Sequence, residues 1–178
     1  GNLGSNNTAN GFRALAAFGE DNNTAVGALA LFEISASNNT AVGYKAATSN
    51  NTGANNVAIG MSALERNTAG SNNVAVGYEA AGGPGQVAYQ NVTAVGYQSM
   101  HGGSGAGNTA VGYKSSFTGG GGQVEESTAI GYEALYSNSQ GDGNTATGHQ
   151  ALYTNVSGFA NTANGREALF NNSEGDGN

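Results

Sequence analysis

Two histidines, twelve carboxylates and several runs of glycine are the residues of this chain whose types could do chemistry. Acid–base or nucleophilic work needs such groups to converge, with a base beside the group that orients it. No pair of carboxylates recurs with His, Ser or Lys at a spacing that recommends this. His149 falls where other copies of a repeat have Tyr. His101 falls in a column otherwise held by Phe32, Phe117, Tyr136, Tyr153 and Phe170. Both histidines read as members of structural ladders.

The glycine-rich stretches at 82–85 and 119–122 lack the Gly-Lys-Ser/Thr ending that contacts phosphate and metal. Asp21, Asp142 and Asp176 do not fit the Gly-Gly-x-Gly-x-Asp spacing of calcium-binding β-rolls, so they read as polar turns. With no Cys, neither a disulfide nor a thiolate metal site can form. The Asn-x-Thr sequons at 6–8 and 38–40 are by-products of the repeat, with meaning only in a glycosylating pathway. The expectation is a non-enzymatic chain with no catalytic, cofactor-binding or metal-binding residues and no cofactor.

The element that places all these residues is the repeat. A segment of the form Asn-Thr-Ala-Val-Gly-Tyr-x-Ala-Leu recurs ten times, aligned on Gly11, Gly27, Gly43, Gly60, Gly77, Gly96, Gly112, Gly131, Gly148 and Gly165, at spacings of 16–19 residues. Ala lies two before the glycine in every copy, from Ala9 to Ala163. Thr lies three before it in eight copies, and Val57 and Val74 in the others. Thr-Ala-Val is a short β-prone run with one bulky and one nearly flat face. After the glycine come a Tyr column, a polar column that includes Arg13, Lys45, Glu79, Lys114, Glu133 and Glu167, then Ala or Ser, then Leu in six copies. Length variation is confined to one point in the period, as in a coil with tolerant outer loops.

That period predicts an all-β, parallel β-solenoid (a β-roll or β-helix) of about ten 16–19-residue turns. Each turn holds two or three short strands, and residues 1–178 form one domain. At about 4.8 Å per turn the rod is about 48 Å long. A thin core of Val, Ala and Leu is supplemented by an Asn ladder (Asn7, Asn23, Asn39, Asn56, Asn73, Asn108, Asn144, Asn161) bonding side chain to side chain. The flat Ala and Gly columns either line a narrow interior or form an inter-chain wall.

Composition agrees. Glycine supplies 31 of 178 residues, Asn 25, and Leu, Ile, Val and Phe together 28, about 16%, too few for a deep conventional core. A net charge of −7 is modest for a disordered chain. Five Lys plus Arg disfavour nucleic acid as a partner, and no apolar run is long enough for membrane insertion. The chain begins at Gly1 without a charged-then-apolar leader. Its end, Gly-Asp-Gly-Asn at 175–178, repeats 141–144, where a new strand follows, so the end is expected to be uncapped and open to stacking.

The motifs Val-Ala-Ile-Gly at 57–60, Val-Ala-Val-Gly at 74–77 and the Thr-Ala-Val-Gly copies resemble the head repeats of trimeric autotransporter adhesins. They are similar also to Asn-Thr-Ala-Val-Gly-Tyr-x-Ala-Leu repeats of phage tail-fibre-like proteins. The adhesin resemblance implies a left-handed parallel β-roll, three chains side by side, and adhesion to a host or matrix surface. The period departs from it, being longer than the adhesin turn of about 14 residues, and no neck, stalk or anchor is recognisable.

The function expected is that of an extracellular or cell-surface structural repeat protein. It forms a fibre by stacking or lateral association as a homo-oligomer or homopolymer, with the Tyr columns and the loops at 86–90 and 123–126 as contact surfaces. The alternative is a receptor- or host-binding segment of a trimeric adhesin or phage tail fibre, with a host surface or matrix ligand as partner. Ice binding through the Thr column is disfavoured, because Thr alternates in phase with Val and Tyr and is expected to face the interior or a subunit contact.

Overall fold

The computed structural model describes residues 4–16, 20–85, 87–103, 105–118 and 123–178. The glycine run at 119–122 and Gln86 of the 86–90 loop lie outside these. Every repeat contributes one three-residue strand: β1 (Thr8–Asn10), β2 (Thr24–Val26), β3 (Thr40–Val42), β4 (Val57–Ile59), β5 (Val74–Val76), β6 (Thr93–Val95), β7 (Thr109–Val111), β8 (Thr128–Ile130), β9 (Thr145–Thr147) and β10 (Thr162–Asn164). They form one sheet in chain order, all neighbours parallel, with Ala opposite Ala throughout, as at Ala25–Ala41 and Ala94–Ala110. The chain is a parallel β-solenoid, and no helix occurs among the described residues. Ten strands make nine steps of about 17 residues, so the rod is about 43 Å long.

Two or three strands per turn were expected; one is found, with isolated bridges such as Asn67–Val87 and Ser137–Thr154. The reason lies in the two residues that end strand geometry after the glycine. Positions two and four beyond it are left-handed in all ten copies, from Arg13 (φ 54°) and Leu15 (φ 50°) to Glu167 (φ 57°) and Leu169 (φ 49°). A left-handed L-residue costs roughly 1–2 kcal/mol. Inter-coil bonding offsets that cost, because the alternation aims successive N–H groups up and down the stack. Lys45 N–H donates to Ala28 O of the preceding coil (3.0 Å), and Ala47 N–H to Ala63 O of the next (2.8 Å).

The strands bury the face opposite to the one a Val-Ala-Leu core predicts. Ala25, Ala41, Ala58, Ala75, Ala94 and Ala110 are wholly buried, whereas Val42 and Ile59 on the same strands are 37% and 40% exposed. The flat Ala wall therefore lines the interior. Width explains the choice. A second small-residue column (Ala46, Ala63, Ala80, Ser99, Ser115) is equally buried. It comes so close to the first that the Ser99 hydroxyl donates to Ala110 O at 2.8 Å. A β-branched side chain does not fit between walls that near. Leu31, Leu64, Leu135 and Leu152 fill the wider part of the coil.

The Asn ladder exists, but its bonding differs from expectation. Each Oδ1 mainly accepts the backbone N–H of the next rung, as at Asn39 to Asn23 (2.9 Å), Asn56 to Asn39 (3.0 Å) and Asn161 to Asn144 (2.9 Å). The Nδ2 donates mainly to carbonyls such as Gly70 O (2.9 Å from Asn56). Side-chain pairs are the minority, for example Asn73 Nδ2 to Asn56 Oδ1 at 2.9 Å. Such a column satisfies buried backbone groups that have no sheet partner.

A second buried column, Asn50, Asn67, Asn138 and Asn155, was not anticipated. Its members clip their own loops, Asn138 Nδ2 donating to Gly141 O (2.7 Å) and Asn155 Nδ2 to Gly158 O (2.8 Å). The sequence signal was an Asn-x-x-Gly recurring after the Leu position.

Candidate interaction face and polar cleft

Because Ala points inward, its strand neighbours point outward. The Thr column, expected at the interior or a subunit contact, lies on the outer surface, half-buried or exposed in every coil. The Val/Ile column stands beside it, and the residue after the glycine beyond that, with Tyr44, Tyr97 and Tyr132 nearly half exposed. In the second to ninth coils these three columns comprise 24 side chains, none of them Asp, Glu, Lys or Arg. Over these eight coils the face measures about 34 Å by about 16 Å, roughly 540 Å². Seven of these side chains are Thr and one is His, the rest being apolar or Tyr, and a contiguous uncharged patch of that size marks an interaction surface.

The aromatic residues close ranks along the rod. Tyr78, Tyr97, Tyr113 and Tyr132 stack ring on ring at 5.1, 5.3 and 5.0 Å, within 10° of parallel. His149 stacks on Tyr132 at 5.1 Å, and His101 on Phe117 at 5.3 Å. Both histidines thus sit in ladders, as their columns indicated. Since each ring covers the next, edges rather than faces meet the solvent, which makes this a poor platform for stacking sugars. Lys45 and Lys114 flank the Tyr column, their Nζ atoms 5.6 Å from the Tyr44 and Tyr113 rings.

Where the repeat is interrupted, Ser62, Glu65, Arg66, Glu79, Gly83, Pro84 and His101 line a cleft of about 260 Å³. Glu79 Oε2 accepts from Gln98 Nε2 (2.7 Å) and lies 3.4 Å from His101 Nε2. Burial raises the Glu79 pKa, but bonds from Gln98 and Tyr78 and the nearby His101 outweigh it and hold it below its usual value. Burial, with Lys114 adding to it, lowers that of His101. No cluster of three or more metal-ligating side chains occurs among the described residues.

The 86–90 loop, expected to be a contact surface, is partly core. Tyr89 is wholly buried, its phenol facing Gly82 O (3.5 Å) and Met100 O (3.4 Å). In the 123–126 loop Val124 is buried, while Gln123, Glu125 and Glu126 are exposed. Burial pushes the Tyr89 pKa far above the ordinary phenol value. A raised folded-state pKa gives stability that is full below the unfolded value of about 10 and is lost as pH rises through the folded one. In an alkaline titration followed by phenolate absorbance and circular dichroism, Tyr89 is expected to ionise only as the rod unfolds. Tyr89→Phe forfeits one long hydrogen bond shared between two carbonyls, about 1 kcal/mol, and moves alkaline unfolding to higher pH. An unchanged midpoint would place the alkaline weakness elsewhere.

Compared with protein-family models, curated proteins and solved structures, the chain matches none of them.

Proposed function

We propose that this chain is a structural rod of an extracellular or cell-surface fibre, and that copies associate laterally through the Thr/Val/Tyr face. The observation that carries this reading is the uncharged outward face running through the second to ninth coils of the solenoid. Its area is about two-thirds of the roughly 800 Å² per partner of a standard interface. Stacking of rods end to end would extend the same sheet.

Charge favours an antiparallel pair. The column flanking Tyr carries Arg13 and Lys45 near one end and Glu133 and Glu167 near the other. Antiparallel rods set Arg13 opposite Glu167 and Lys45 opposite Glu133, an arrangement weakened by salt. The alternative, a receptor- or host-binding segment of an adhesin or tail fibre, draws on the cleft lined by Glu65, Arg66 and His101. Ice binding draws on the outward Thr column, although the Tyr ladder stands beside that column as a ridge.

Sedimentation and electron microscopy decide among them. Pairs or bundles of rods are expected at low salt, dissociating as salt rises. Val42→Lys with Ile130→Lys, both on the face and already more than a third exposed, are expected to keep the circular dichroism of the rod and abolish bundling. Single rods at all concentrations would sink the lateral reading. Thermal hysteresis from those single rods would give the face to ice.

A further inference from the structure

We propose that the tyrosine ladder is a site of oxidative covalent modification, at which phenols of adjacent coils couple to dityrosine and lock the stack. In purpose this rests on the fibre reading; in chemistry it rests on the ladder alone.

Coupling needs two phenoxyl radicals, or a radical and a phenol, held together. In dilute solution that encounter is rare, whereas a partner fixed in place acts at a very high effective molarity. Tyr78, Tyr97, Tyr113 and Tyr132 supply fixed partners at ring separations of 5.0–5.3 Å. A second pair, Tyr136 and Tyr153, stacks at 4.9 Å and 2°. The first run lies at the surface, with Tyr97, Tyr113 and Tyr132 39–45% exposed, so an oxidant reaches it and a ring is free to swing toward its neighbour.

The balance is simple. Each phenol gives up one electron and its proton. An ortho carbon of one ring bonds to an ortho carbon of the next, and the two displaced ring hydrogens move to the oxygens. The two hydrogen equivalents released reduce one hydrogen peroxide, the oxidant class required, to two waters. Glu79, through its hydrogen bond and its charge, raises the Tyr78 pKa, and at Tyr132 partial burial and then Glu133 do so.

The chain carries its own controls. Two of its eight tyrosines are outside the ladders. Tyr44 is the most exposed, at 48%, but its column neighbours are Ala28 and Met61. Tyr89 is wholly buried. Reactivity set by exposure would select Tyr44; reactivity set by the ladder spares it.

The test is oxidation of the full chain, dilute enough to be single rods, with peroxidase and hydrogen peroxide. Dityrosine fluorescence, gel mobility and mass spectrometry of tryptic peptides are then read. Cleavage after Lys114 separates Tyr113 from Tyr132, so their coupling joins the peptide ending at Lys114 to the one beginning at Ser115. Intrachain dityrosine is expected at ladder pairs and not at Tyr44. Tyr97→Phe with Tyr113→Phe keeps the aromatic stack but, of four adjacent tyrosine pairs that allow at most three couplings at once, leaves only Tyr136 with Tyr153, so fluorescence is expected to fall about threefold.

Products that are interchain only, or that involve Tyr44 as often as Tyr113, overturn the proposal. So does tyrosine oxidation without coupling. Intrachain dityrosine in rods that never bundle upholds the ladder chemistry and refutes the fibre reading. Bundles without intrachain dityrosine do the reverse.

Discussion

A Gly43→Ala substitution is expected to lower the thermal midpoint by roughly 10 °C, a loss on the order of 4 kcal/mol for a chain of this size. Two effects add. Gly43 sits at φ 137°, a region that side chains rarely adopt, worth about 1–3 kcal/mol by itself. Its added Cβ would also lie 2.5 Å from Gly60 O and 2.7 Å from Gly60 C of the next coil, with Met61 N at 3.2 Å. Those atoms are backbone, so no flexible side chain can give way. Relief requires the two coils to part just where Gly60 N–H donates to Val42 O at 2.8 Å, while Gly43 N–H ties its own coil to the preceding one through Val26 O at 2.8 Å.

Gly165→Ala separates the two effects. Gly165 has nearly the same backbone, φ 125°, but nothing lies within 4 Å of its added Cβ. Only the conformational part, about 1–3 kcal/mol, is expected there. Equal losses at the two sites would mean that the stacking contact contributes nothing, and the glycine column would then be a requirement of backbone angle alone.

That contrast bears on how much of the fold is legible in the residues. The ten-fold alignment on glycine locates all ten strands and their parallel order, because a short β-prone run recurring with a constant partner column has no simpler arrangement than stacking. What periodicity cannot supply is which side of a three-residue strand faces inward. Alternation places Ala opposite Thr and Val, and the usual weighting of hydrophobicity turns Val inward. The width of the coil decides otherwise, and width depends on the second small column at Ala46 and Ala63 folding back against the first.

The left-handed residues are legible only in part. At the outer position Asn6, Asn22, Asn38, Asn55, Asn72 and Asn91 adopt φ near 60°, and Asn with the Gly that replaces it at Gly107 and Gly143 is the usual signature. At Leu31, Leu64, Leu135 and Leu152 the same conformation has no local signature, because inter-coil bonds rather than intrinsic preference impose it. Of the interaction face, the Tyr column is legible as a contact surface, whereas the same inversion hides the Val/Ile column beside it by assigning Val to the core. The two histidines were legible because each stood in a column whose other members were aromatic.

Asn73→Leu, close to isosteric, is expected to cost about as much as the glycine change, on the order of 3–5 kcal/mol, since two or more buried polar groups lose partners at about 1–3 kcal/mol each. The Asn73 Oδ1 accepts the Val92 N–H at 2.9 Å, while its Nδ2 donates to Tyr89 O at 2.6 Å and Asn56 Oδ1 at 2.9 Å. None of these groups can turn to water, since Asn56, Asn73, Tyr89 and Val92 are all at most 1% exposed. The added apolar surface of Leu does not compensate, because it leaves a carbonyl and an N–H unpaired in a low-dielectric interior.

The neighbouring Asn72 belongs to the outer column, where its Nδ2 donates to Asn91 Oδ1 at 3.2 Å in an exposed setting. Asn72→Gly keeps the left-handed backbone available and exchanges for water both that bond and the equally exposed one in which Asn72 Oδ1 accepts from Asn55 Nδ2 at 3.2 Å. The expected change is within about 0.5 kcal/mol. Thermal denaturation of the two variants, with hydrogen exchange at the Val92 amide, reads the difference directly. A small loss at Asn73, or a large one at Asn72, would move the holding power of the Asn ladders from the buried column to the surface.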